Sequence, residues 1–171
     1  MHEGIALSEA SRLNKGGSEV GRLFIAEVEV DDARDLQGLS VRTDGQGRRF
    51  LPVAAAGVRE NWRPDYIKVH EHLKPIFEQA DAEGAAFYVD FLISDFRTGD
   101  ARKGAGAALI RKLKEYSVSR GAKSLFLDCW DGNGRSLLNF YIGQGFDHVA
   151  DFSNERPDAE DWHGCLARMN L

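Results

Sequence analysis

Cysteine is scarce in this chain: Cys129 and Cys165 are the only two among 171 residues. Two thiols are too few for a disulfide framework, and one His163-x-Cys165 pair lacks the spacing of a zinc site. Both cysteines therefore read as small core residues of a protein in the reducing cytosol. Long apolar runs are missing as well, since no stretch approaches the roughly 20 residues of a membrane span. The first 14 residues scatter His2, Glu3, Glu9 and Arg12 among apolar ones. That pattern lacks the basic region and apolar block of a secretory signal. Nor is positive charge in excess. The formal net charge of −5 argues against broad nucleic-acid binding, which needs a basic field to displace counterions. No repeat or low-complexity segment interrupts the chain.

What is present is an ordinary soluble composition, 43% hydrophobic and 29% charged, at a length that suits one domain. The first 85 residues are hard to read. Residues 18–30 alternate Leu23, Ile25 and Val28 with Glu27 and Glu29, as a half-buried strand does. Asp31 and Asp32 offer cap chemistry for a short helix over 33–39. Residues 43–48 form a turn by their Asp-Gly content. A strand follows over 50–58, although its alanines have poor strand propensity. Residues 64–79 repeat apolar side chains at helical spacing, and Pro75 is expected to kink or divide that helix.

From residue 86 onward the pattern sharpens. Residues 86–93 are an apolar run suited to a central strand, broken only by Asp90. A polar loop over 94–103 leads into a helix over 104–119, apolar on the face of Leu109, Ile110 and Leu113. Gly121 ends that helix. The next strand, 124–130, turns Leu125, Leu127 and Cys129 to one face and Phe126, Asp128 and Trp130 to the other. A turn at 131–134, a helix over 135–144 and two strands over 146–152 and 162–169 close the chain.

Arg102-Lys103-Gly104-Ala105-Gly106-Ala107 lies where a helix begins after a strand and a loop. Unpaired N–H groups and the helix dipole there face outward together, which suits a phosphate. Glycine lets a diphosphate approach the backbone closely, although glycines at such a place also permit tight helix–strand packing. A P-loop is ruled out, because no Gly-x-x-x-x-Gly-Lys-Ser/Thr occurs, and the third glycine of a dinucleotide fingerprint is missing.

One helix and one strand later stands Leu137-Leu138-Asn139-Phe140-Tyr141-Ile142-Gly143-Gln144-Gly145-Phe146. A helix ending in Phe-Tyr-x-x-x-Gly-Phe at this interval resembles the Gcn5-related N-acetyltransferases, over residues 86–146. The resemblance implies an α+β fold, with a mixed, mostly antiparallel sheet flanked by helices and splayed where acetyl-CoA enters. It implies acetyl-CoA as acyl donor, an amine of a small molecule or protein as acceptor, no metal, and neither nucleic acid nor membrane as partner. A homodimer is compatible with it.

By the same resemblance, Phe91, Leu92 and Ile93 would be the strand end that pairs with the pantetheine arm. Lys103, Gly104, Ala105, Gly106 and Ala107 would hold the pyrophosphate through their amides. Ala101 replaces the motif's leading Gln or Arg, so Arg102 or Arg97 is the substitute for reaching the same phosphate. The loop over 94–103 is longer than usual, and Asn133 stands one position away from the family's Asn before the fourth helix.

Tyr141 matches the family's general acid, a phenol that protonates the departing thiolate. Its alternative is an aromatic core residue beside Phe140. Asp90 is the expected base, because a partly desolvated carboxylate has a raised pKa; its alternative is a carboxylate that binds a structural arginine or faces solvent, and Asp128 or a water chain competes for the role of base. Asp90 is placed on the same face as Tyr88 and Leu92, and His148 and His163 are lesser candidates. Asp90 with Asp158, Glu160 and Asp161 in the last loop points to a cationic primary amine. The reading is an N-acetyltransferase; the alternative is a degenerate acyl-CoA-binding sensor or partner domain, and a nucleotide-binding regulatory module ranks below both.

Overall fold

The computed structural model describes residues 6–13 by their backbone, and residues 21–31 and 38–171 in full. The short helix expected over 33–39 lies outside the described residues except for Gly38 and Leu39, neither of which is helical. Eight strands make one sheet: β1 (Ala6–Leu13), β2 (Gly21–Val30), β3 (Arg42–Thr43), β4 (Arg49–Glu60), β5 (Ala86–Ser94), β6 (Ser124–Trp130), β7 (Asp147–Asn154) and β8 (Trp162–Asn170). Their order is β1-β2-β4-β5-β6-β8-β7, with β3 pairing β4. Every pair is antiparallel except β5 with β6. The architecture is thus the expected α+β one, a mixed and mostly antiparallel sheet flanked by helices.

The turn over 43–48 closes the β3–β4 hairpin. Asp44 anchors it, accepting from the N–H groups of Gln46 and Arg48 at 2.9 Å each. The alanine-rich segment after it is a long interior strand in spite of its propensity. Ala54 and Ala56 are buried in the same cluster as Ala105 of the helix above, where Ala108 is buried as well. Small residues on both elements let strand and helix approach closely, and burial outweighs intrinsic preference.

The helical pattern after residue 64 divides into α1 (Asp65–Lys68), a single 3₁₀ turn (Glu71–Leu73) and α2 (Lys74–Glu83). The break comes at Val69 and His70, not at Pro75. Proline instead stands in the first turn of α2, where its missing N–H would have no helical acceptor anyway. The other two helices are α3 (Ala105–Ser119) and α4 (Gly132–Gly143). α3 stops at Gly121, where the N–H groups of Gly121 and Ala122 return to the carbonyls of Val118 and Ser117, satisfying the last turn. No helix of the described residues is long and apolar enough to cross a membrane.

The sheet buries a different cluster on each face. Phe87, Val89, Leu125, Leu127, Cys129 and Tyr141 pack with α3 and α4. Tyr88 and Phe126 pack on the opposite side with Ile67, Leu73 and Phe77 of the α1–α2 segment. The alternation of β6 is therefore as its sequence predicts.

In β5 the alternation breaks. Val89 pairs Val58, yet Phe91 pairs Gly57, so Asp90 is an extra residue in a bulge. A bulge reverses the facing of the residues beyond it. Leu92 accordingly packs against the α3-side cluster, not on the Tyr88 face where unbroken alternation would put it. Gly57 belongs to the same device: a Cβ there would come within 2.6 Å of the Phe91 ring, so only glycine lets that ring lie across β4. Beyond the bulge the two parallel strands separate. β5 pairs β6 only where 86–88 meets 124–126, and both strands continue past that point. The sheet is splayed there.

Candidate active site

The splay puts an unpaired edge of β5 beside the start of α3. Residues 91–94 pair β4 on one side, and their other edge faces the gap. Because α3 returns antiparallel to β5, its N-terminus sits at the mouth of that gap. A Cβ on Gly106 would lie 3.8 Å from a Leu92 methyl and 3.3 Å from the Phe140 ring. Gly106 thus serves close packing of α3 against α4 and the end of β5.

Gly104 precedes the helix in the left-handed region, at φ 82°, which glycine adopts without a Cβ penalty. The first backbone bond into the helix runs from the Ala108 N–H to the Gly104 carbonyl, at 3.0 Å. Among the described residues no acceptor meets the N–H groups of 104–107. Four donors therefore converge at a helix N-terminus, a geometry that suits a pyrophosphate. Lys103 does not add a fifth, because its N–H is bonded to the Asp100 carbonyl at 3.1 Å. Its ammonium is paired with the Asp100 carboxylate at 2.9 Å.

The segment 94–103 is wound and not an open loop. It forms 3₁₀ turns over Phe96–Arg102 that Asp95 caps by accepting from the Arg97 N–H. Asp95 also holds the Arg97 guanidinium at 2.6 Å, and that arginine keeps the Asp95 carboxyl below its ordinary range. Arg102 reaches the Ser94 hydroxyl at 3.5 Å and is the less engaged of the two. Ala101, at the place of the motif's polar residue, packs partly against the core. Asn133 is exposed in the left-handed turn that opens α4.

If these amides hold the pyrophosphate of acetyl-CoA, Gly104→Asp should weaken its binding by roughly tenfold or more, or about 1.4 kcal/mol. Aspartate tolerates the left-handed region better than most residues, so the fold should survive. Calorimetry on a variant with the wild-type melting temperature checks this; unchanged affinity would place the pyrophosphate elsewhere.

Tyr141 lies on the α3–α4 face of the gap, between Phe140 and Phe146 with ring centroids 5.2 and 5.9 Å away. No described group takes a hydrogen bond from its hydroxyl. Burial first, then the nearby Cys129 and Asp128, pushes its pKa up to about 12. The phenol therefore stays protonated at any working pH.

Across the sheet, Asp128 occupies the α1–α2 side. It accepts from the Tyr88 hydroxyl at 2.5 Å and from the Tyr66 hydroxyl at 3.1 and 3.2 Å. Burial raises its pKa above the ordinary carboxylate value, and the charge of Asp90 adds to this, while the two tyrosines oppose it. Both phenols are driven up, by burial and then by the carboxylate itself, so the protons stay on the tyrosines. Asp90 is differently placed. It pairs with Arg59 at 2.9 Å, and that guanidinium lies over the Trp62 ring at 4.2 Å.

Sequence reasoning passed over Tyr66 and Tyr88, because aromatic residues at core spacing look like packing alone. A phenol on a strand two residues from a carboxylate was the available signal for Tyr88. For Tyr66, 62 residues from Asp128, there was none.

A cleft of ≈ 730 Å³ opens on this same face. Its walls include Tyr66, Val69 and His70 from the end of α1, and Asn154, Arg156 and Trp162 from the β7–β8 hairpin. His70 Nε2 sits 2.9 Å from Asn154 Oδ1, joining the two walls. Asp158, Glu160 and Asp161 are exposed in the hairpin loop and do not line it.

The lesser candidates lie away from the gap. His148 bonds Asp151 at 2.7 Å, and His163 is exposed. Ligand atoms of His148, Asp151 and Cys165 come within 4.8 Å of one another, a spatial grouping that sequence spacing did not reveal. Arg135 already places its guanidinium 2.8 Å from Asp151, so that carboxylate is charge-balanced by the chain itself. Cys129 and Cys165 are both free and buried, and burial pushes the Cys129 thiol up to about 11.

The described residues thus form a splayed, mostly antiparallel sheet with free donors at one helix N-terminus, a phenol on one face and a carboxylate on the other. Solved structures share this architecture. The chain is similar to Arabidopsis thaliana NAA60 in complex with a bisubstrate analogue, at 18% identity and TM-score 0.58, covering 91% of this chain and 76% of that one. It is similar to the NatC complex bound to Gag peptide and CoA, at 13% identity and TM-score 0.52, covering 87% and 70%. A GNAT-family acetyltransferase from Streptococcus pneumoniae gives 12% identity and TM-score 0.52, covering 88% and 67%. No protein-family model matches the sequence, and no curated protein does. The fold is that of the Gcn5-related N-acetyltransferases.

Proposed function

We propose that the protein is an N-acetyltransferase, moving an acetyl group from acetyl-CoA to a primary amine. The observation that carries this reading is the gap between β5 and β6, which has Tyr141 on one face and Asp128 on the other. A donor entering from the α3 side and an acceptor from the α1 side would meet there without a covalent enzyme intermediate.

Residues 104–107 hold the pyrophosphate, Arg102 adds charge, and the free edge of β5 at Phe91, Leu92 and Ile93 aligns the pantetheine arm. N–H groups on that edge polarise the thioester carbonyl. Asp128 takes the proton of the attacking amine. Asp90 is less suited to that role, since it is already ion-paired with Arg59; burial first, with a smaller contribution from the Asp90 charge, raises the basicity of Asp128. The amine nitrogen bonds to the carbonyl carbon, the carbon–sulfur bond breaks, and Tyr141 gives its proton to the thiolate. No metal enters these steps. The continuous sheet favours reading residues 1–171 as one domain, and acetyl-CoA chemistry with two buried thiols fits the cytoplasm.

Release of free CoA thiol from acetyl-CoA on adding primary amines, with matching acetylated product by mass spectrometry, is the expected result. Tight acetyl-CoA binding without amine-dependent thiol release would favour the degenerate sensor instead.

A further inference from the structure

The acceptor cleft has a composition of its own. Tyr66 belongs at once to the base and to the wall: its hydroxyl donates to Asp128 at 3.1 Å, while the residue is 46% exposed and lines the cleft. Val69, 70% exposed, follows three residues later on the same helical face. Trp162 meets the Tyr66 ring edge-to-face, with centroids 6.5 Å apart. The charged lining is one carboxylate and one guanidinium, Glu155 and Arg156, adjacent in sequence and opposite in sign. His70, Ser153 and Asn154 complete the lining, so the cleft that Tyr66 joins to Asp128 offers aromatic and aliphatic surface from Tyr66, Val69 and Trp162 beside polar groups. A polycation laid along the same wall would find one carboxylate, Glu155, itself beside Arg156, so its further charges would lack ionic partners, which is unfavourable.

We infer that the acceptor is a primary amine carrying a large apolar group, aromatic or branched aliphatic, within a few bonds of the reacting nitrogen. This rests on the acetyl-transfer reading above. It narrows the acceptor from cationic amines in general, which an acidic last loop alone would favour, to apolar ones. Such chemistry comes either from a free arylalkylamine or from a peptide N-terminus whose first side chain is large and apolar.

Thiol release is measured with phenylethylamine, a tripeptide beginning with Phe, ethanolamine and spermidine. One of the two apolar acceptors should exceed ethanolamine and spermidine in kcat/KM by roughly tenfold or more, as expected when a ring leaves water. Preference between phenylethylamine and the tripeptide tells the small-molecule source from the protein one, and either supports the inference. Val69→Asp should remove most of that preference through KM for the apolar acceptor. KM for acetyl-CoA, which the proposed function places on the other side of the sheet, should not change. A preference for spermidine, or an apolar preference indifferent to Val69→Asp, overturns the inference while leaving acetyl transfer intact. Should acetyl-CoA bind and no amine be acetylated, the acetyl-transfer reading fails. Calorimetry with phenylethylamine then judges the cleft: binding lost in Val69→Asp upholds its apolar specificity, and absence of binding to the wild type overturns it.

Discussion

Asp128→Asn should lower kcat by roughly a hundred- to ten-thousandfold, the range over which a positioned base contributes. The amide keeps the shape of the carboxylate and one oxygen to accept from Tyr88 or Tyr66, so the local packing is preserved. Stability should not fall with activity. Burial raises the folded-state pKa of Asp128 above its unfolded value. For an acid this means its charge destabilises the fold, an effect absent below the unfolded pKa and growing as pH rises toward the folded one. The Asn variant escapes that penalty and should melt at or above the wild-type temperature at neutral pH. The wild-type kcat should also fall on the acid side, with a limb above the ordinary carboxylate range, because protonated Asp128 accepts no proton. That limb should vanish in the variant. Wild-type turnover by a stable Asp128→Asn protein would leave the proton to water or to Asp90.

Tyr141→Phe should lower kcat by roughly a hundredfold, at the lower end for a general acid, and leave the affinity for acetyl-CoA nearly unchanged. The donor matters most as sulfur acquires charge in the transition state. Phenylalanine retains the edge-to-face contacts with Phe140 and Phe146, and no described hydrogen bond is lost with the hydroxyl. The melting temperature should therefore hold. Because the phenol is raised to about 12, its loss should lower the rate evenly across neutral pH without moving the acid limb. A stable variant that turns over at the wild-type rate, with chemistry limiting, would make Tyr141 a core aromatic only.

Much of the fold is written locally in the second half of the chain. β5, α3, β6 and α4 each have a hydrophobic period, a start and a stop within one short segment, so their order follows from the residues themselves. The phosphate-cradling start of α3 is legible for the same reason: it needs only a glycine in the left-handed region and a helix behind it. Tyr141 stands out by its spacing to Gly145 and Phe146.

Other features depend on partners far along the chain. The division near Pro75 was misplaced because proline inside a helix and proline in a first turn have the same local sequence; only the packing of Ile67, Leu73 and Phe77 under the sheet decides between them. The bulge at Asp90 arises from pairing with Gly57 and Val58, and no pattern in β5 announces it. Asp90 looked like the base because it stood alone among apolar neighbours, yet Arg59, 31 residues earlier, takes its charge. Asp128 becomes a buried, raised carboxylate only when Tyr88 and Tyr66, 40 and 62 residues away, close around it. Periodicity and caps are short-range, so the sequence by itself determined the elements and the donor-side motif. Desolvation and ion pairing act between strands and helices that meet only on folding, so tertiary structure alone decided which carboxylate faces the gap and what surface surrounds it.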